Sequence, residues 1–436
     1  MRIAFVSCMD EEKHSRQKVW ESVQAQAPDV LLLLGDHIYM DWGLDAFNEE
    51  SAWRLAIARD PLGQLARFAS DMHARYARQW EVGRFRTLVR DVLARRGPNA
   101  LLLTWDDHDF AWNNAYGGGD GTRPRHVAPG VASISRALFN QFAAVLREPG
   151  APDAYPAAPV FDFNALANGP PPALPEAVSA WLPWLTTVGD TPLLLLDQRS
   201  HRTHLDEPQP TLLGARQARL LLDTVLGGEG LLIVAGGSPM RHDKGRHEQG
   251  WRSVPDPARG GERREYTEYR AFLDAAREAG RAVLYLAGDI HRNAYGGPVE
   301  RDAQVVQVLS SGAARKLGGV GLFGLVTLPD APGVLMNGDV HIELFRQTGR
   351  ALETELTRTL TVRDGRWLAA PPGACTGSAG EGADNSDEDA RVYGHDSGHG
   401  SGRDSGHDTG LSAGEIADQG THQIAGQSAA PHTARN

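Results

Sequence analysis

Cysteine is nearly missing from this chain of 436 residues: only Cys8 and Cys375 occur. Two cysteines make no disulfide framework, so the fold must rest on a hydrophobic core. Also missing is any apolar run of membrane-spanning length, which takes about 20 residues. The chain opens on Met1-Arg2 and runs straight into a strand pattern, without a secretory leader or a twin arginine. The expected location is therefore cytoplasmic. Positive charge is not in excess either. The formal net charge is −11, and the ten acids and three arginines from Gly373 onward carry seven of those negative charges. A mildly acidic body is not expected to hold nucleic acid by bulk electrostatics.

What is present is ordinary in bulk and unusual in arrangement. Hydrophobic residues make up 41% and charged residues 23%, as in a globular protein with a large core. Three short apolar runs stop at clusters of metal-ligand side chains. Leu31 to Leu34 lead into Gly35-Asp36-His37-Ile38-Tyr39-Met40-Asp41. Leu101 to Thr104 lead into Trp105-Asp106-Asp107-His108-Asp109, and Val283 to Leu286 into Gly288-Asp289-Ile290-His291. A weaker fourth case, Ile3 to Val6, ends at Ser7-Cys8. Such runs read as buried strands of an α/β sheet, and in these sheets ligands bind beyond the carboxyl ends. Cys8, Asp36, Tyr39, Asp107, His108, Asp289 and His291 are thus expected at one rim. Carboxylates, imidazole and a thiol gathered there suit a multinuclear metal site.

The order of elements predicts an α/β fold over about 1–370: two mixed β-sheets packed on each other, with helices outside. Helices are expected over Ser15 to Ala27, over Asp45 to Arg96 as an insert capping the site, and over Val131 to Leu146. Further helices are expected over Ala215 to Leu226 and Arg264 to Ala279. Strands are expected at Leu193 to Leu196, Leu231 to Ala235 and Val305 to Leu309. Val340 to Phe345 and Leu352 to Val362 should form a hairpin around Thr348-Gly349. Ala151 to Pro183, rich in Pro and Ala, reads as irregular. From about 371 to 436 Gly, Ser, Asp and His dominate, and this tail reads as disordered.

Gly-Asp after a strand is a common turn, so no single cluster is decisive. Asp106-Asp107-His108-Asp109 is the hardest to explain structurally, because three carboxylates around one imidazole repel unless a cation neutralises them. Gly338-Asp339-Val340-His341 repeats the spelling of the Gly288 cluster but precedes an alternating strand, so it reads as a turn. His201, His204 and His242 sit among polar flanks and read as surface histidines. His242 also follows a strand end, where a further ligand could stand. Asp41 has no assigned role.

Taken together, Ser7-Cys8, Gly35-Asp36-x-x-Tyr39, Trp105-Asp106-Asp107-His108-Asp109 and Gly288-Asp289-x-His291 resemble the PhoD-like branch of the calcineurin-type metallophosphoesterases. Asn113-Asn114 and Asp197-Gln198-Arg199-Ser200-His201-Arg202 are softer matches, and the resemblance runs in order from Met1 to about Ser311. It implies a four-layer fold and hydrolysis of phosphate esters at a dinuclear or trinuclear metal centre. By analogy Cys8, Asp36, Tyr39 and His291 hold Fe³⁺, which would keep the tyrosine as phenolate. Asp36 then bridges to a second ion held by Asp107 and Asp289: Ca²⁺, with Mn²⁺ or Mg²⁺ as alternatives. His108 is the expected general acid, its ring oriented by Asp106 or Asp109. Asn113, Asn114 and Arg199 are expected to bind phosphate oxygens, with an ion pair to Asp197 or a neighbour as the other role open to Arg199. The competing functions are phosphodiesterase or phospholipase D-like activity on the same site, and a catalytically silent binding module. Substrate and oligomeric state are left open.

Overall fold

The computed structural model describes residues 1–368 apart from 13, 41–50, 169–183, 242–249, 254–259, 300–303, 315–319 and 331–332. Asp41, His242 and the tail from 371 lie outside the described residues. Two sheets dominate. The first has seven strands, in which β1 (Arg2–Val6), β2 (Val30–Leu34) and β3 (Leu101–Thr104) run parallel. Beyond β1, each antiparallel to its neighbour, follow β10 (Val320–Thr327), β11 (Gly338–Thr348), β12 (Ala351–Arg363) and β13 (Arg366–Trp367), in the order β13-β12-β11-β10-β1-β2-β3. The second sheet has six strands. Its parallel centre is β5 (Thr191–Leu195), β6 (Leu232–Gly236), β7 (Val283–Ala287) and β9 (Val305–Leu309). Its antiparallel edges are β4 (Trp184–Val188) and β8 (Ala294–Pro298).

The parallel strands are buried on both faces, and in the first sheet alternate residues divide between two cores, as a period of two requires. Ile3, Phe5, Leu32, Leu34 and Leu102 meet Leu193, Ile233, Leu284 and Val308 between the sheets. Ala4, Val6, Leu31, Leu33, Leu101 and Leu103 point the other way, into a helical layer. The helices there include α1 (Val19–Ala25), α3 (Pro61–Glu81), α4 (Gly83–Arg96) and α6 (Pro129–Arg147). Their apolar faces supply Trp20, Phe68, Tyr76, Phe85 and Phe142, all fully buried. α3 starts with Pro61 in its first turn, and the Asp60 side chain accepts from the Gly63 amide. The short helix α2 (Ala52–Arg59) precedes it. A third core lies outside the second sheet, under α8 (Gly214–Leu226) and α9 (Thr267–Ala279), while the short helices α5 (Asp107–Phe110) and α7 (Phe163–Asn168) stand after β3 and inside the stretch expected to be irregular.

The architecture is the expected one: two mixed β-sheets flanked by helices, in four layers. Its arrangement matters for the site. β1, β2 and β3 of one sheet and β5, β6 and β7 of the other all end where the two parallel blocks abut. Gly288 shows how close the approach is: a Cβ there would sit 2.3 Å from Ser7 Oγ and 3.2 Å from the Leu34 carbonyl. Among the described residues no helix is long and apolar enough to cross a membrane.

Candidate metal centre

After β1, β2 and β7 the chain enters the rim through residues with left-handed backbone. Eight described non-glycine residues have positive φ, and five of them are expected site residues: Cys8, Asp36, Asn114, Asp289 and His291, with φ between 50° and 72°. This left-handed geometry turns each side chain out of the strand line and into a common space. Hydrogen bonds lock the turns to one another. The Cys8 amide donates to the Gly35 carbonyl at 3.2 Å, the Met9 amide to the Asp36 carbonyl at 2.7 Å, and the Gly288 amide to the Gly237 carbonyl at 2.9 Å.

Side chains distant in sequence therefore meet. Cys8 Sγ lies 3.2 Å from Asp36 Oδ2 and 3.0 Å from Ser311 Oγ. The Tyr39 hydroxyl lies 3.3 Å from the same Asp36 oxygen and 3.1 Å from His291 Nε2. Cys8, Asp36 and His291 form one group with ligand atoms within 4.8 Å of each other; Asp36, Asp106, Asp107 and Asp289 form another. Asp36 belongs to both, which is the position of a bridging ligand. His108 also groups with Asp36 and Asp107, and its ring lies 4.1 Å, centroid to centroid, from that of Tyr39. The six expected ligands and His108 are thus brought together.

The electrostatics show what this pocket needs. Asp36 Oδ1, Asp106 Oδ2, Asp107 Oδ1 and Asp289 Oδ2 are buried and have no hydrogen-bond partner. Such atoms are rare and costly unless something else satisfies them. Burial, reinforced by Cys8 and the neighbouring carboxylates, pushes Asp36 well above the usual aspartate range. Burial and the charges of Asp106 and Asp107 do the same to Asp289. Burial also raises the Cys8 thiol, against hydrogen bonds from Ser311 and Ser7. Asp107 is the exception: burial would raise it, but Arg199, His108 and the Asn114 amide hold it below the usual range. An array that resists ionisation by itself, yet offers sulfur, imidazole and several bare carboxylate oxygens, has the donor set of a cation site.

Around this centre the remaining candidates separate. Asn114 donates its backbone amide to Asp107 Oδ2, and the Asn113 carbonyl accepts from Arg125 at 2.7 Å. Arg199 is fully buried and ion-paired with Asp106, while its amide donates to Asp197 Oδ1 at 3.0 Å. Asp109 accepts from the Tyr76 hydroxyl and the His37 amide, with His37 Nδ1 at 3.1 Å. Neither Asp106 nor Asp109 thus has the simple role of orienting His108. The buried His37–Asp109–Tyr76 cluster ties the loops after β2 and β3 to α3, and sequence reasoning did not find it. Its only signal was a histidine inside the Asp36 motif. Of the decoys, His341 lies on β11 beside Thr359, and His204 Nδ1 accepts from the Asp206 amide.

No protein-family model matches this chain, and no curated protein matches it. Among solved structures it is similar to one described as "Structure of PhoD", with a TM-score of 0.51 and 14% identity, over 85% of this chain and 72% of that one. Identity this low speaks for the fold alone. The fold is PhoD-like at a distant level, and it carries a cluster of acidic, histidine and cysteine side chains able to hold metal.

Proposed function

We propose that the chain is a metal-dependent hydrolase of phosphate esters. The observation that carries this reading is the convergence of buried carboxylate oxygens without partners at the strand ends of a PhoD-like fold. In this reading Cys8, Asp36, Tyr39 and His291 hold one ion, Fe³⁺ by analogy with the PhoD-like branch. Asp36, Asp107 and Asp289 hold a second, Ca²⁺ or alternatively Mn²⁺ or Mg²⁺. When bound, these ions neutralise the ester's phosphate charge and lower the pKa of an attacking water. The chain's own residues do the rest. His108, 6% exposed and set against Tyr39, gives a proton to the leaving oxygen. The Asn114 amide fixes Asp107, and the side chains of Asn113 and Asn114 face the phosphate. The helices α2 to α4 of the insert pack on the first sheet, and Tyr76 of α3 donates to Asp109 beside the site. The decisive experiment is elemental analysis of the purified protein combined with a screen of chromogenic mono- and diesters. Turnover of either class at a rate that follows metal content is the expected result. A metal-loaded protein that hydrolyses neither class overturns the reading in favour of a binding module.

A further inference from the structure

We propose that Arg199 is a resident cation of the centre: it holds Asp106 to itself, and Asp36, Asp107 and Asp289 alone are the carboxylate ligands of the metal ions. This rests on the metal centre proposed above. The sequence suggests Arg199 as a phosphate-binding side chain, but it is fully buried. Its Nε donates to Asp106 Oδ1, its Nη2 donates to Ser238 Oγ at 3.0 Å, and Ser238 Oγ in turn donates to the same Asp106 oxygen at 3.3 Å. The backbone beneath is fixed. Asp197 Oδ1 accepts from the Arg199 and Ser200 amides, each at 3.0 Å, and from Trp105 Nε1 at 2.8 Å. Arg199 is thus held by its backbone and by two of its three guanidinium nitrogens, Nη1 alone having no hydrogen-bond partner among the described residues, and cannot swing out to follow a substrate.

The charges point the same way. A guanidinium keeps its proton at any working pH, so its positive charge is permanent. Asp106 is matched by it through a charge-assisted hydrogen bond, the strongest kind available to a carboxylate. Asp107 lies farther off, 3.6 Å from Nη2, and accepts the Asn114 amide on its other oxygen. A metal ion drawn to Asp106 would face the guanidinium across one carboxylate, cation against cation, in a buried space. Asp106 Oδ2 has no hydrogen-bond partner and still opens on the cluster. Geometry would let that oxygen reach an ion, and the fixed charge behind it argues against ligation. Arg199 is then a positioning residue that sets how many cations the cluster accepts.

The test is metal stoichiometry in the full chain. Asp106→Asn keeps an acceptor for Arg199 and is expected to bind as many metal equivalents as the wild type. Asp107→Asn is expected to lose at least one. Arg199→Met, titrated with calcium, is expected to take up one equivalent more than the wild type, because Asp106 is released. If that variant does not fold, the double variant Asp106→Asn/Arg199→Met removes both partners and should hold the wild-type count. Loss of an equivalent in Asp106→Asn or in the double variant overturns the inference, as does an unchanged calcium count in folded Arg199→Met. A wild type that takes up no cation at all overturns the metal centre and this inference with it.

Discussion

Stripping the proposed metal should make the stability of this protein depend on pH in a way the loaded protein does not show. Asp36, Asp107 and Asp289 have ligand atoms within 4.8 Å of each other, so each ionised pair repels by about 3.5 kcal/mol at an effective dielectric of roughly 20. Three such pairs give about 10 kcal/mol, comparable to the whole stability of a typical domain, about 5–15 kcal/mol. A metal-free protein cannot carry that load and keeps protons on the cluster instead. The raised positions of Asp36 and Asp289 are the sign of it. The direction follows from linkage. Their unfolded value is near 3.8, and their folded values lie well above it. The folded metal-free state therefore binds more protons than the unfolded one, and its stability falls as pH rises. The fall begins above 3.8, amounts to about 1.4 kcal/mol per pH unit for each retained proton, and ends once the folded values are passed. Bound metal keeps the carboxylates ionised and removes the slope. Calorimetric melting with and without chelator, from about pH 5.5 to 8.5, should show a gap that widens with pH and reaches roughly 5–10 °C. Chelation should also take up protons, seen as a dependence of the measured heat on buffer ionisation enthalpy. Equal melting temperatures at every pH, with no proton exchange, would refute the electrostatic account.

Three other outcomes test separate parts of the site. His108→Ala should lower turnover by about 10²–10⁴ while metal content is retained, with poor leaving groups hurt more than good ones; loss of metal instead would make His108 a ligand. Tyr39→Phe should bleach or shift a visible charge-transfer band in the iron-loaded protein, and a colourless yet fully active wild type would remove the phenolate–iron assignment. Glu11, buried and pushed up to about 6 from 4.5 chiefly by that burial, holds Arg78 at 3.2 Å. Its penalty of about 2 kcal/mol is absent below the unfolded value and complete above pH 6. Glu11→Gln should therefore flatten denaturant-measured stability between those values, and an unchanged slope would show that the group titrates normally.

Much of the site was legible because its signals are local. Apolar runs ending at Gly35, Trp105 and Gly288 mark buried parallel strands, and the chemistry sits within a few residues of each end. The β11–β12 hairpin showed itself by alternation. β10 did not. Its Gly321 and Gly324 suggest a turn, yet Gly324 is there because the Phe5 ring occupies the space, 2.2 Å from where a Cβ would stand. β4 and β8 are short edge strands, and β8 carries Gly296, Gly297 and Pro298, which again spell a loop. Partnerships across the chain were illegible for a different reason. Sequence proximity offers Asp197 to Arg199, but the folded chain delivers Asp106, 93 positions away, and gives Asp197 to Trp105 and backbone amides. Likewise His37, Asp109 and Tyr76 meet only once α3 has packed on the first sheet.

The left-handed backbone at Cys8, Asp36, Asn114, Asp289 and His291 has a consequence for how such a centre can evolve. A side chain other than glycine, asparagine or aspartate costs about 1–2 kcal/mol in that conformation, and aspartate and asparagine rather less. Replacement by glycine would relieve the strain at each position and, at Asp36 and Asp289, would delete a repelling carboxylate as well. Folding by itself therefore favours losing these residues one at a time. A lineage that no longer needed the chemistry would be expected to drift toward glycine here first, while its strands stayed intact. The side chains at these five positions are therefore a cost to the fold, one that only the proposed chemistry would offset.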